Sequence, residues 1–222
     1  MPYVASCEEE YLRMYTLYAR PGWGSVIVEA QLAYYGLDYT LQDAGDLFTS
    51  EAARTALSAI NPVAQLPTLI LPDGQIMTES AAITLHLADL TGCDDLVPGA
   101  KEAGRAQFLR WLVFIVANIY PTFTLADNPS RFVTDKAGHE DFLANVFAYK
   151  ETLWRTVDAH AQAPWFLGSR FSALDVYVCA MTHWRPQRAW FEANTPRLSA
   201  IAKAADQVPE LQPVWQRNYP GA

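Results

Sequence analysis

The chain has 222 residues, 51% of them hydrophobic and 18% charged, with a net charge of −8. That length allows one large domain or two modest ones with real cores, and the composition excludes long disorder. The acidic balance and the lack of a basic patch argue against nucleic acid and membrane as partners, and the longest apolar run, near Trp111 to Ala117, is far short of a membrane span.

Residues 1–10 read as a polar tail, and the opening MPYVASCEEEYLRMY has no basic segment leading into an apolar one, so no signal peptide is expected. Cys7, Cys93 and Cys179 are few, odd in number and far apart. No CxxC occurs, and His86, His139, His160 and His183 form no metal spacing with them, so no metal is expected. A reducing, cytoplasmic compartment is the simplest expectation.

LRMYTLY (Leu12 to Tyr18) predicts a first strand, ending at the loop ARPGWGS. Ser25 is placed to cap a helix through VIVEAQLAYYG, whose apolar residues recur at helical spacing and which Gly36 closes. LDYTLQDA predicts a second strand, and Leu47 to Ile60 a short helix. Then come strand LPTLIL, the turn Pro72-Asp73-Gly74, strand QIM and helix SAAITLHLADLTG. The order βαβαββα implies an α/β domain over residues 11–91 with a parallel pair joined by a right-handed crossover. Residues 92–104 predict a linker. Residues 105–222 predict an all-helical domain, with amphipathic helices such as RAQFLRWLVFIVANIY and HEDFLANVFAYKETLWRTVDAHAQ and no further strand.

The stretch NPVAQLPTLILPDGQIMTESAAI, residues 61–83, carries chemistry. Pro67 belongs at a strand start, because a proline inside a sheet interrupts pairing. A cis Leu66–Pro67 bond would leave the Leu66 N–H and C=O free to pair with an extended peptide. Glu79 and Ser80 stand at a helix start, where N–H groups favour a carboxylate and Glu79 can take an ammonium. A backbone ladder beside a site for amine plus carboxylate suits glutathione, without singling it out.

With these residues the chain resembles the cytosolic glutathione S-transferases of bacteria, over nearly its whole length beyond the tail. NPVAQLP-TLIL-PDGQIMTES-AAITLHLADL follows that family's glutathione-site pattern, and PWFLGSRFSALDVYV resembles its helical-half motif, in which Ser172 caps a helix and Asp175 answers it. The resemblance implies a thioredoxin-like N-terminal domain, an all-helical C-terminal domain and a homodimer. It implies glutathione as co-substrate, held by Leu66 through its backbone, by Glu79 and Ser80 at the γ-glutamyl part, and flanked by Gln65 and Pro67. The implied activity is conjugation of the glutathione thiolate to a small hydrophobic electrophile, with a peroxidase variant. The alternative is a non-catalytic glutathione-binding or protein-interaction member of the same fold.

YARPGWGSVIVEAQL resembles the beta-class segment in which a cysteine precedes a serine, but Gly24 stands where that cysteine would be. Three groups are therefore candidates for activating the thiol: Ser25 first, as a hydroxyl at the helix start; Tyr18 second, ending the first strand; Arg20 third, as a cation. Trp23, Trp111, Tyr120 and Phe123 are the candidate walls of the electrophile pocket, while Phe114 serves the core equally well.

Overall fold

The computed structural model describes residues 14–221, so the predicted tail and the first two residues of the predicted first strand lie outside the described residues. Two compact units emerge. One holds the chain through Gly92 together with the residues from Asp206 onward; the other is Cys93–Ala205.

The first unit is built on a four-stranded sheet of order β2-β1-β3-β4. Strand β1 (Tyr15–Ala19) alternates in burial, with Tyr15, Leu17 and Ala19 turned into the core. Helix α1 (Ser25–Tyr34) carries β1 across to β2 (Tyr39–Asp43), which pairs parallel to β1 with Tyr15 opposite Tyr39. Residues Ser25 to Leu32 of α1 are all buried, which explains a helix apolar on nearly every side. Gly36 ends it at φ +63°, with Gly36 N–H bonded to Ala33 C=O and Leu37 N–H to Leu32 C=O, the paired closing bonds of a left-handed helix stop.

Helix α2 (Glu51–Ser58) is shorter than the sequence pattern predicts and is capped by Ser50, whose Oγ accepts from Ala53 N–H at 3.2 Å. Strand β3 (Thr68–Ile70) runs antiparallel to β1, and β4 (Ile76–Met77) antiparallel to β3. Their turn is the predicted Pro-Asp-Gly: Gly74 sits at φ +84°, and Asp73 accepts from Gln75 N–H. Helix α3 (Ser80–Thr91) follows and stops at Gly92. Leu17, Val28, Leu32, Leu69, Ile83 and Leu87 are wholly buried together, each worth about 1.5–3 kcal/mol over exposure. The βαβαββα order is as expected. The unit also takes in helix α10 (Gln212–Asn218), which the sequence pattern groups with the helical domain; its Arg217 and Asn218 bond to Glu29 of α1.

The second unit is helical. Its members are α4 (Arg105–Phe114), a π-helical segment (Ile115–Ile119), α5 (Tyr120–Asp127), α6 (His139–His160), α7 (Ala173–Thr182), α8 (Arg188–Asn194) and α9 (Pro196–Ala205). Pro121 lacks an N–H for the preceding turns, which accounts for a widened ladder just before it. By length and composition Arg105–Asp127 is apolar enough to cross a membrane. Here its Phe108, Trp111, Leu112, Ile115 and Ile119 are buried in the helical core. Helix α7 is buried along its whole length and forms the centre of the unit.

Candidate functional site

The strand register gathers the predicted glutathione-binding residues at one end of the sheet. Tyr18 pairs with Thr68 and Leu69 with Met77. Strand β3 starts at Thr68 and β4 ends at Met77, so the Leu66–Pro67 step and Glu79–Ser80 both leave the sheet at the end where β1 runs out. Helix α1 starts from the loop after β1, so its N-terminus opens at the same end.

The Leu66–Pro67 bond is cis, as expected. Neither backbone polar group of Leu66 takes a partner among the described residues. The segment before it is held by residues that the sequence pattern did not single out. Asn61 Nδ2 donates to the Gln65 carbonyl and to Thr68 Oγ1, both at 3.0 Å, and Thr68 Oγ1 donates to the same carbonyl at 2.9 Å. Asn61 is 6% and Thr68 0% exposed, so this network is a rigid internal strut. The Asn-Pro pair at 61–62 was its one visible signal. Gln65 itself is exposed, while Leu66 is half-buried and Pro67 buried.

Glu79 precedes α3 at φ +65° and ψ +99° and makes no capping bond. A non-glycine residue held there costs about 1–3 kcal/mol. Ala64, at φ +50°, is in the same regime. Both strained positions adjoin predicted binding residues. Ser80 is 8% exposed, and the first N–H groups of α3 take no partner among the described residues. Glu79 is exposed, an acid beside an unfilled helix N-terminus.

The three thiol-activating candidates are placed differently. Ser25 does not cap α1: the cap position is Gly24, and Ser25 is the first helical residue. Its side chain is fully buried and tied to the loop, with Oγ donating to the Arg20 carbonyl at 3.3 Å and accepting from Arg20 N–H at 3.2 Å. Arg20 leans toward Asp43 at 3.7 Å and remains partly exposed. Tyr18 is half-buried and packs with Trp23 and Leu66 on Ala44, Leu47 and Leu57. Its hydroxyl takes no partner among the described residues. The N–H groups of Gly24 and Ser25 also take none. These last two are orphan donors at the positive end of α1.

Of the predicted pocket walls, Trp23 joins this cluster and stacks on Phe48 with ring centres 4.6 Å apart. Trp111 is a correction: at 3% exposure it is core, packed among Phe114, His160 and Phe166. Tyr120 and Phe123 are half-buried and meet each other and Trp184 edge to face. Phe123 also offers its ring face to the buried Lys150 ammonium at 3.6 Å. Burial pushes that amine down to about 8, with Arg185 acting the same way and Asp127 opposing them. In the helical unit, Ser172 and Asp175 behave as predicted. The Asp175 carboxylate accepts from Ser172 N–H, Ser172 Oγ and Phe166 N–H at 2.7, 3.0 and 2.7 Å.

Residues 27–90 match the glutathione S-transferase N-terminal domain family. The chain is 40% identical over 206 residues to the "Uncharacterized GST-like protein YncG" of Escherichia coli K12, covering 92% of this chain and 98% of that protein. It is 27% identical to glutathione S-transferase GstA of E. coli O157:H7 over 88% of this chain and 94% of the relative. Among solved structures, a glutathione transferase homologue from Sulfitobacter with bound glutathione superposes with a TM-score of 0.79 at 23% identity, over 91% of this chain and 97% of that one.

Proposed function

We propose that this chain, a member of the glutathione S-transferase family, binds glutathione at the sheet end of its α/β unit and transfers the thiolate to a small hydrophobic electrophile. Hydroperoxides are a second acceptor class. The observation that carries this is the convergence there of two unmet recognition elements. The unpaired N–H and C=O of Leu66 suit the cysteinyl backbone of the tripeptide. The strained Glu79, with Ser80 and the open N-terminus of α3, suits its γ-glutamyl amine and carboxylate. The glutathione held by the Sulfitobacter homologue supports the same ligand.

Activation of the thiol falls first to the backbone. Lowering a thiol by two units from about 8.5 takes roughly 2.7 kcal/mol. A hydrogen bond to a charged group supplies about 1.5–3 kcal/mol and a helix N-terminus up to about 2 kcal/mol. The free N–H groups of Gly24 and Ser25 meet that need, with the Tyr18 hydroxyl as the side-chain donor and Arg20 as a nearby cation. Trp23 remains the proposed wall for the electrophile on the α/β unit. A homodimer and a cytoplasmic location complete the proposal; sedimentation showing only monomer at micromolar concentration would remove the first.

Calorimetry with glutathione tests the core of this. Glu79→Ala and Ser80→Ala should each weaken binding without unfolding the chain, and unchanged affinity in both would overturn the site. One observation favours a binder without turnover: the Ser25 hydroxyl is committed to Arg20, and the Arg20 to Ser25 loop contains no cysteine. A screen with chloro-nitroaromatics, isothiocyanates and hydroperoxides separates the two, because glutathione binding with a silent screen favours the binder.

A further inference from the structure

The loop from Arg20 to Ser25 is held from two sides. On its inner side, Ser25 bonds both backbone groups of Arg20. On its outer side, it meets the last helix of the chain. Gly22 N–H donates to Asn218 Oδ1 at 3.1 Å. Gly22 sits at φ +76°, and a Cβ there would lie 3.6 Å from the Asn218 carbonyl and 3.7 Å from the Tyr219 ring. A side chain at Gly22 would therefore just touch the helix end, and it is the positive φ that favours glycine there.

The Asn218 amide is itself oriented. Its Nδ2 donates to Glu29 Oε2 and to the Val214 carbonyl, each at 2.9 Å, which leaves Oδ1 to face Gly22. Glu29 lies on α1 at 1% exposure, the one acid in a helix whose other buried residues are apolar apart from Ser25 and Gln31. A carboxylate buried there is tolerated only with its oxygens bonded. Asn218 holds one oxygen; the Arg217 guanidinium holds the other, with Nε at 2.7 Å and Nη2 also in contact. Arg217 further reaches the Tyr39 hydroxyl at 3.5 Å. The result is a continuous chain of bonds: Arg217 to Glu29, Glu29 to Asn218, Asn218 to Gly22.

We propose that Asn218 is a positioning residue for thiol activation, with Glu29 and Arg217 fixing its orientation. Acting through Gly22, it sets the direction in which the Gly24 and Ser25 N–H groups point. This rests on the proposed glutathione site. It adds that the competence of the loop depends on the far end of the sequence, 196 residues away from Gly22. Backbone donors need this more than a side-chain donor would. A hydroxyl can rotate to follow an anion, whereas an N–H points where its loop points.

The test follows the ionisation of bound glutathione, read from thiolate absorbance against pH, together with affinity, turnover of a chloro-nitroaromatic and melting temperature. Asn218→Ala should raise the bound thiol by about one pKa unit, and so lower turnover near neutral pH about tenfold, with recovery at higher pH. Glutathione affinity should change far less, because Leu66, Glu79 and Ser80 are untouched. Amide hydrogen exchange should quicken at Gly22, Trp23 and Val26, whose N–H groups are bonded within or from this loop, while α7 stays protected. Should Asn218→Ala fold poorly, Arg217→Lys keeps a cation beside Glu29 while loosening the orientation of Asn218, and should shift the pH profile the same way by a smaller amount, an unshifted profile counting against the positioning role. A lowered melting temperature with an unshifted pH profile would overturn the positioning role. Wild-type protein that binds no glutathione would instead overturn the functional proposal beneath it, an outcome the calorimetry distinguishes.

Discussion

The starts of α7 and α1 both place a serine where loop becomes helix, yet they end in opposite states. At α7 the start is closed by its own surroundings: Ser172 and Phe166 converge on the buried Asp175 carboxylate, Ala173 N–H bonds to the Leu96 carbonyl and Asp175 N–H to the Ser172 carbonyl. At α1 the serine lies one residue further in, its hydroxyl is tied to Arg20, and the N–H groups of Gly24 and Ser25 are left unmet. The start of α3 is open in the same way and carries the strained Glu79 besides. A helix end closed by its own side chains builds a core. One left open at the edge of a sheet is available to a ligand's negative charge. The start of α7 is thus of the first kind and those of α1 and α3 of the second, while α2, capped by Ser50, is a closed start inside the α/β unit.

Breaking the closed end should have the largest effect. Asp175→Ala orphans three buried donors at once and should destabilise the chain by about 3 kcal/mol or more, read from denaturant midpoints. A change under about 1 kcal/mol would show that the box is dispensable. Glu79→Gly sharpens the contrast from the open side. It relieves the positive-φ strain and should stabilise by about 1 kcal/mol while weakening glutathione binding, a loss of function with a gain of stability. Loss of both together would mean that Glu79 is merely structural.

Ser25→Ala should be milder. It loosens the loop, costs about 1 kcal/mol of stability and lowers turnover only in part, because the backbone donors survive. Tyr18→Phe is its control, removing one hydroxyl and keeping the ring. A much larger loss of turnover in Tyr18→Phe would move the thiol donor from the backbone to Tyr18.

A further effect concerns pH. Burial pushes Asp175 up to about 6, against the three donors that favour its charge. Since the folded value lies above the unfolded one, near 3.8, the native state keeps its proton longer. That contribution to stability is full below about pH 4 and is lost as pH rises to about 6. Replacing Asp175 by Asn should flatten this part of the melting temperature profile. A wild-type profile with no such fall would show that the donors outweigh burial.

Much of the molecule was legible in the chain. The strand read at LRMYTLY, the stop at Gly36 and the Pro-Asp-Gly turn each express a local preference and are found where the sequence places them, although the strand runs one residue further, to Ala19. The S-x-x-D spacing at Ser172 was equally readable, because a capping box is closed within four residues. The Ser25 cap was not, since cap and first helical residue differ by one position and the loop's own bonds decided between them. Trp111 looked like a pocket wall because an aromatic residue on an amphipathic helix has no label for which neighbour it meets.

The sequence alone therefore determined the order of elements, the stop at Gly36 and the stretch that resembles a glutathione site, all of which depend on residues a few positions apart. Only the tertiary structure decided what is free and what is taken. Ser25 is consumed by Arg20, Leu66 is left with open backbone groups, and Gly22 is bonded to Asn218 from the other end of the chain. The physical reason is that hydrogen-bond partners are shared out by proximity in the folded state. Which donor remains for a ligand depends on contacts between residues far apart in sequence, and no local spacing records them.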